Sequence, residues 1–243
     1  METARVSVWN LVQYLIVHYE LRAGTFAHAA LTLGGALLCI LVPYLLGSLN
    51  PAVLLSRRRG ADVRETGDGT ADATDLYRPY GVRPVVIAGA LELLKTALAY
   101  WFGFFLFFGF NGGAIAGFFA LFGHLYPVFH KFRGGKGTLC LAAVALCTVS
   151  VRPFIFAILL GIWLIVAVGT RFLSLASVMT ALLYPLILRA FTGSGAGLAV
   201  AMAIAGSVFV IYRHKPNLSR LYRGKEPKFR FSRQPRDEGK GEG

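Results

Sequence analysis

Long, nearly uncharged apolar runs constrain this chain more than any other feature. The clearest lie at 26–46, 85–105 and 198–212. A run of about 20 apolar residues crosses the hydrocarbon core of a bilayer as a helix, whereas a barrel strand needs only about 10. In lipid, only helices and closed barrels satisfy every backbone polar group, and these runs are too long for barrel strands. Charged residues make up 15% of the 243, against about 25% in a soluble domain. The sequence therefore predicts an all-α membrane protein.

Seven spans are expected, near 26–46, 85–105, 113–129, 138–149, 154–169, 175–190 and 198–212. The fourth is short for a bilayer, which suits a tilted or partly re-entrant helix. Asn111 and Gly112 read as the turn between the second and third spans. Residues 6–21 mix Trp9, Leu11, Leu15 and Ile16 with Asn10, Gln13, His18 and Glu20. That segment is too polar to cross and reads as an interfacial helix. The expected organisation is an N-terminal interfacial segment at 1–25, a transmembrane bundle at 26–212 and a basic tail at 213–243. Nothing near the start resembles a basic region, apolar stretch and small-residue cleavage site, so no removable leader is expected.

The formal net charge of +13 raises the question of nucleic acid. No nucleic-acid fold signature accompanies it, and no nucleic-acid partner is expected. Lys and Arg gather instead in the polar stretch 47–84, the loop 131–137 and the tail. With seven spans these segments fall on one side together with 170–174. The positive-inside rule then puts the C-terminus in the cytoplasm and the N-terminus outside. Cys39, Cys140 and Cys147 all lie in apolar runs without metal-ligand spacing and read as small packing residues.

Several polar groups interrupt this pattern. Phe132-Arg133-Gly134-Gly135-Lys136-Gly137-Thr138 leads directly into an apolar run. Consecutive glycines can turn backbone N–H groups toward an anion at a helix N-terminus, and Lys136 would add a full charge. The alternative is an ordinary basic turn. It is not a Walker loop, because Gly137 stands where Ser or Thr should follow the lysine. Asp62, Glu65, Asp68, Asp72 and Asp75 are five of the chain's 12 acids. They read either as a cation-binding cluster or as a charge-balanced, solvated loop. Glu92 and Lys95, three apart in the second span, share a helix face and predict an ion pair turned into the bundle. That pair reads equally as structural or as part of a site. His124 near the end of the third span, and Ser174 and Ser177 near the start of the sixth, have packing and capping as their plain readings. His214 stands close to Asn217 after the last span, and Pro216 suits the first turn of a new helix.

Taken in order, several segments resemble the acyl-phosphate-dependent glycerol-3-phosphate acyltransferases of bacteria, the PlsY family. These are Leu45-Leu46-Gly47-Ser48, then Gly123-His124-Leu125-Tyr126-Pro127-Val128-Phe129 with Gly134-Gly135-Lys136-Gly137. Leu173-Ser174-Leu175-Ala176-Ser177 and Ile211-Tyr212-Arg213-His214-Lys215-Pro216-Asn217 follow. Any one of them is weak alone, and the ordered set from about residue 45 to 229 is specific. No His-x-x-x-x-Asp box, used by the other large glycerolipid acyltransferase family, follows any histidine.

The resemblance implies seven short helices around a cytoplasm-facing site in the bacterial inner membrane, working in phospholipid biosynthesis. It implies transfer of an acyl chain from acyl phosphate to glycerol 3-phosphate, with membrane lipids around it and without metal or organic cofactor. By position, Arg78, Gly134, Gly135, Lys136 and Gly137 would hold phosphate. Asp68, Ser174, His214 and Asn217 would do the chemistry, and Gly67, Gly69, Thr70 and His124 would line the site. Arg and Lys suit phosphate oxygens.

One loop departs from the family. Where the pattern is Gly-Ser-Gly-Asn-x-Gly-Ala-Thr-Asn, this chain has Asp68 for the serine, Thr70 for the first asparagine, Asp72 for the third glycine and Asp75 for the last asparagine. Three neutral positions have become carboxylates. Two like charges about 4 Å apart repel by roughly 1 kcal/mol in water and about 4 kcal/mol at an effective dielectric of 20. That weakens phosphate binding by orders of magnitude unless cations offset it. A smaller departure is Pro216, where the family has Glu. The departures leave room for a divergent paralogue with another acceptor or donor, in which Asp68 would be a general base. They also leave room for a non-catalytic protein that binds anionic lipid.

Overall fold

The computed structural model describes residues 10–65, 69–107, 109–148 and 153–229, and every regular element among them is helical. The elements are α1 (Leu11–His18), α2 (Phe26–Ser48), α3 (Pro51–Arg57), α4 (Tyr77–Tyr80), α5 (Val82–Leu106) and α6 (Phe110–Leu125). They continue with α7 (Thr138–Cys147), α8 (Pro153–Thr170), α9 (Leu173–Phe191), α10 (Gly197–Arg213) and α11 (Lys215–Tyr222). Local chemistry sets many of the boundaries. Asn10, Thr25 and Asn50 cap α1, α2 and α3 through side-chain oxygens that accept from Gln13, His28 and Val53 N–H groups. Pro51 and Pro216 open α3 and α11, where a missing N–H costs nothing.

The helices pack with small residues inside. Gly47 of α2 lies against the Ala120 backbone of α6, and Gly123 of α6 against the Tyr44 carbonyl of α2; a Cβ at either would collide. Such close approach is how helices associate where lipid is as apolar as leucine. A second core joins α6 to α7, α8, α9 and α10 through Leu121, Leu125, Cys140, Ile155, Tyr184 and Val210. Many bulky apolar side chains point outward, with Phe26 89% exposed and Ile165 75%, whereas Glu92, Lys95, Thr96 and His124 are buried. This arrangement, polar inside and apolar outside, belongs to a bilayer rather than to water.

Five helical stretches among the described residues are long and apolar enough to cross a membrane: Phe26–Arg57, Val82–Leu106, Phe110–His130, Leu173–Phe191 and Ser194–Arg213. Thr138–Cys147 and Phe154–Thr170 are shorter apolar helices. The turn expected at Asn111 and Gly112 lies earlier, at Gly109, whose φ of +54° suits glycine; both residues belong to α6. Gly112 instead lets α6 approach α5, its missing Cβ facing the Gly103 and Phe107 carbonyls. Ser174, expected at a loop edge, sits in the first turn of α9.

The amphipathic α1 buries Val12 beside Cys39, Phe107 and Ala116, so it lies on the bundle. At the other end, α11 and residues 225–229 turn back toward α9, where the Phe229 N–H donates to the Arg171 carbonyl.

Candidate functional site

The loop between α6 and α7 wraps around the end of α6. The Gly135 N–H donates to the His124 carbonyl, and Arg213 donates from Nε and Nη2 to the Gly135 and Gly134 carbonyls at 3.0 and 2.7 Å. A Cβ at Gly135 would collide with the His124 ring, and Gly137 sits at φ +83° against Leu121. These glycines therefore bring the backbone hard against His124 and hand the chain to α7. The Lys136 N–H points at a carboxylate of the protein itself. The anion is Asp72: its Oδ1 accepts that N–H at 2.8 Å, and its Oδ2 lies 3.9 Å from Lys136 Nζ.

Asp72 stands on a segment held by its own backbone. The Ala71 N–H donates to the Gly134 carbonyl, and the buried Asn50 donates to the Ala71 carbonyl at 3.0 Å. Burial acts to raise the Asp72 carboxyl, but His124 and Lys136 outweigh it and bring the value down to about 2. Asp75 accepts from the Thr70 hydroxyl at 2.8 Å and from the Asp72 N–H at 3.2 Å. Burial, then the charge of Asp72, pushes its carboxyl up to about 6. Asp62 takes the guanidinium groups of Arg57 and Arg64, and Arg64 also donates to the His130 carbonyl. Asp62 is thus paired with arginines and Asp72 with Lys136 and His124, whereas Asp75 is held by the Thr70 hydroxyl and the Asp72 N–H.

Behind Asp72 the polar chain continues into the bundle. His124 has Nε2 3.9 Å from Asp72 Oδ1 and Nδ1 2.8 Å from Glu92 Oε1. The same Glu92 oxygen takes Lys95 at 3.1 Å and the Cys140 thiol at 2.8 Å. Lys95 also donates to the Gly47 and Leu49 carbonyls at the end of α2. Glu92, His124 and Cys140 offer three ligand atoms within 4.8 Å of one another. Lys95 Nζ, 3.5 Å from His124 Nδ1, already supplies the positive charge there.

A second constellation joins the ends of α9, α10 and α11. Glu226 accepts from the Ser174 hydroxyl at 2.7 Å, the Asn217 amide at 2.9 Å and Arg220 at 2.8 Å. Burial works against this charge, but the hydrogen bonds from Asn217, Ser174 and Arg220 hold its carboxyl below the usual range. Asn217 Oδ1 is buried without a hydrogen-bond partner among the described residues. His214, 3% exposed, lies between the two constellations, close enough to feel the charges of Asp72, Lys136 and Glu226. Its Nδ1 is 2.8 Å from the Val210 carbonyl, an acceptor only, so Nδ1 carries the proton and Nε2 is the basic nitrogen. Burial, chiefly, pushes this imidazole below its ordinary pKa.

The residues singled out in the sequence thus gather at one end of the bundle. Gly134, Gly135, Lys136, Gly137 and His124 form one wall with Thr70 close by. Ser174 and Asn217 form another, with His214 between them. Gly69 turns with φ +71° just before Thr70, and Arg78 lies in α4. Gly67 and Asp68 lie outside the described residues. Sequence reasoning missed Glu226, one acid among many bases in the tail, and Arg213 as a clamp on the glycine loop. It also missed Cys140 as a donor to Glu92, because an apolar run suggested only packing.

Fold and site together define a polytopic membrane protein with an anion-holding polar end. Residues 37–224 match the sequence profile of the family described as glycerol-3-phosphate acyltransferase. A glycerol-3-phosphate acyltransferase of Rhizobium etli is 36% identical over 200 residues, covering 82% of this chain and 93% of the relative. One from Bacillus subtilis is 34% identical over 197 residues, covering 80% and 97%. Among solved structures, that of PlsY, an integral membrane glycerol 3-phosphate acyltransferase in its glycerol 3-phosphate form, superposes with a TM-score of 0.71. It is 30% identical and covers 81% of this chain and 96% of that one. Its lysophosphatidic acid form gives a TM-score of 0.68. The chain belongs to the glycerol-3-phosphate acyltransferase family, an enzyme family of the membrane.

Proposed function

We propose that the protein moves an acyl group from acyl phosphate to glycerol 3-phosphate, releasing lysophosphatidate and inorganic phosphate. The observation that carries this reading is the clamp of Arg213 on the Gly134 and Gly135 carbonyls, which ties the Lys136 loop to the helix end that carries His214 and leads into Asn217. In this reading Lys136, the loop and Arg78 hold phosphate oxygens, and Ser174 and Asn217 orient the acceptor. His214 Nε2 takes the proton of the acceptor hydroxyl as its oxygen attacks the acyl carbon. The acyl carbon–oxygen bond breaks and phosphate leaves with the electron pair. Phosphate is already a good leaving group, so positioning and charge stabilisation supply most of the acceleration.

The proposed setting is a bacterial inner membrane, with seven crossings, the N-terminus outside and the C-terminus in the cytoplasm. The basic charge of the 131–137 loop and the tail supports this orientation.

Lys136→Ala tests the site. Loss of a charge-assisted phosphate contact is expected to lower kcat/KM by roughly 10- to 100-fold. Wild-type turnover in that variant removes the loop from the mechanism.

A further inference from the structure

The loop that the proposed function assigns to substrate phosphate holds a carboxylate of its own chain. Asp72 takes the Lys136 N–H at 2.8 Å and faces Lys136 Nζ at 3.9 Å. Both side chains are largely enclosed, 17% and 12% exposed, so solvent screens the contact little. The second Asp72 oxygen is buried without a hydrogen-bond partner among the described residues. A carboxylate that exists only to brace a loop normally satisfies both oxygens. The loop also needs no such brace: Ala71 N–H to Gly134, Asn50 to Ala71 and Arg213 to Gly134 and Gly135 hold it already. Asp72 also stands at the N-cap of the short turn Ala73–Leu76 and faces His124 Nε2 at 3.9 Å, but the glycine loop itself is held by the other contacts, so at Lys136 the carboxylate adds negative charge where positive charge is useful.

We propose that Asp72 is a specificity-determining residue, an internal anion that competes with substrate phosphate for the Lys136 loop and sets how tightly the site holds it. Phosphate enters only as the carboxylate gives way, so the site binds phosphate more weakly than an unoccupied loop would. Inorganic phosphate, a product of the proposed reaction, leaves correspondingly faster. This inference rests on the reading of the loop as a phosphate site.

The test is calorimetric titration of inorganic phosphate into the full-length protein in detergent, for wild type, Asp72→Gly, Asp72→Asn and Lys136→Ala. Both Asp72 variants are expected to bind phosphate at least about tenfold more tightly, the scale of one charge-assisted hydrogen bond. Asp72→Asn keeps the side-chain volume and so separates charge from space. The KM for glycerol 3-phosphate and that for acyl phosphate, measured separately, then show which substrate's phosphate shares the loop, since only that KM falls. Affinity unchanged or weakened in folded Asp72→Asn overturns the inference, as does failure of both Asp72 variants to fold. If Lys136→Ala abolishes phosphate binding while the Asp72 variants leave it unchanged, the inference fails and the functional reading stands. If Lys136→Ala binds phosphate like wild type, the functional reading fails and takes this inference with it.

Discussion

Among single residues, Asp75 shows how the altered loop ties protonation to stability. Its folded carboxyl is raised from an ordinary 3.8 to about 6 by burial and then by Asp72, while Thr70 and Lys136 oppose the shift. The folded protein therefore holds this proton more tightly than the unfolded chain does. The stability that results is fully present below about pH 4 and is lost as pH rises through about 6. Asp75→Asn carries no charge at any pH. It is expected to raise the thermal midpoint relative to wild type near pH 7.5, and the difference should shrink as the pH approaches 4. A difference independent of pH would show that the charge is not its source. At this scale the sequence was legible where partners are close in the chain, as with Glu92 and Lys95 three apart on one helix face. It was not legible where they are far apart: 64 positions separate Asp72 from Lys136, and 52 separate Ser174 from Glu226. Nothing in local composition distinguishes Glu226 from its neighbours in the tail; only the return of residues 225–229 to α9 gives it a role.

Between elements, the junction of α2, α5 and α6 depends on one buried cation. Lys95 caps the Gly47 and Leu49 carbonyls, where a positive charge also favours the helix end, and it neutralises Glu92. Lys95→Met leaves Glu92 buried without its cation and is expected to destabilise the protein by about 3–5 kcal/mol. Thermal unfolding in detergent would show it, and the double variant Glu92→Gln/Lys95→Met should recover much of the loss because no lone charge remains. If the double variant is as unstable as the two single losses added together, the pair is not coupled. The apolar runs located the long helices because lipid demands a continuous apolar surface. They placed the α5–α6 turn wrongly at Asn111 and Gly112, because those residue types serve turns and close helix packing equally well. The positive φ at Gly109 and the contact of Gly112 with α5 depend on three-dimensional approach, which spacing along the chain does not encode.

Across the whole molecule, two features decide the reading: an inside-out distribution of polarity and the gathering of distant motifs at one end of the bundle. The proposed orientation is checked with cysteines at Gly195 and Arg133, both exposed, while the native Cys39, Cys140 and Cys147 are buried. In intact cells a membrane-impermeant maleimide is expected to label Gly195→Cys at once and Arg133→Cys only after permeabilisation; the reverse would invert the topology. The ordered motifs made the class of protein legible because they carry the loop glycines, Lys136, His214 and Asn217. The contact of Asp72 with the Lys136 loop became visible only in three dimensions. The central claim is acyl transfer at this site, and product analysis tests it most directly. The purified protein is incubated with a long-chain acyl phosphate and glycerol 3-phosphate. Lysophosphatidate and inorganic phosphate should appear in equal amounts, and roughly 10- to 100-fold more slowly when Lys136→Ala replaces wild type. Absence of any acyl ester from the folded wild-type protein would contradict the account.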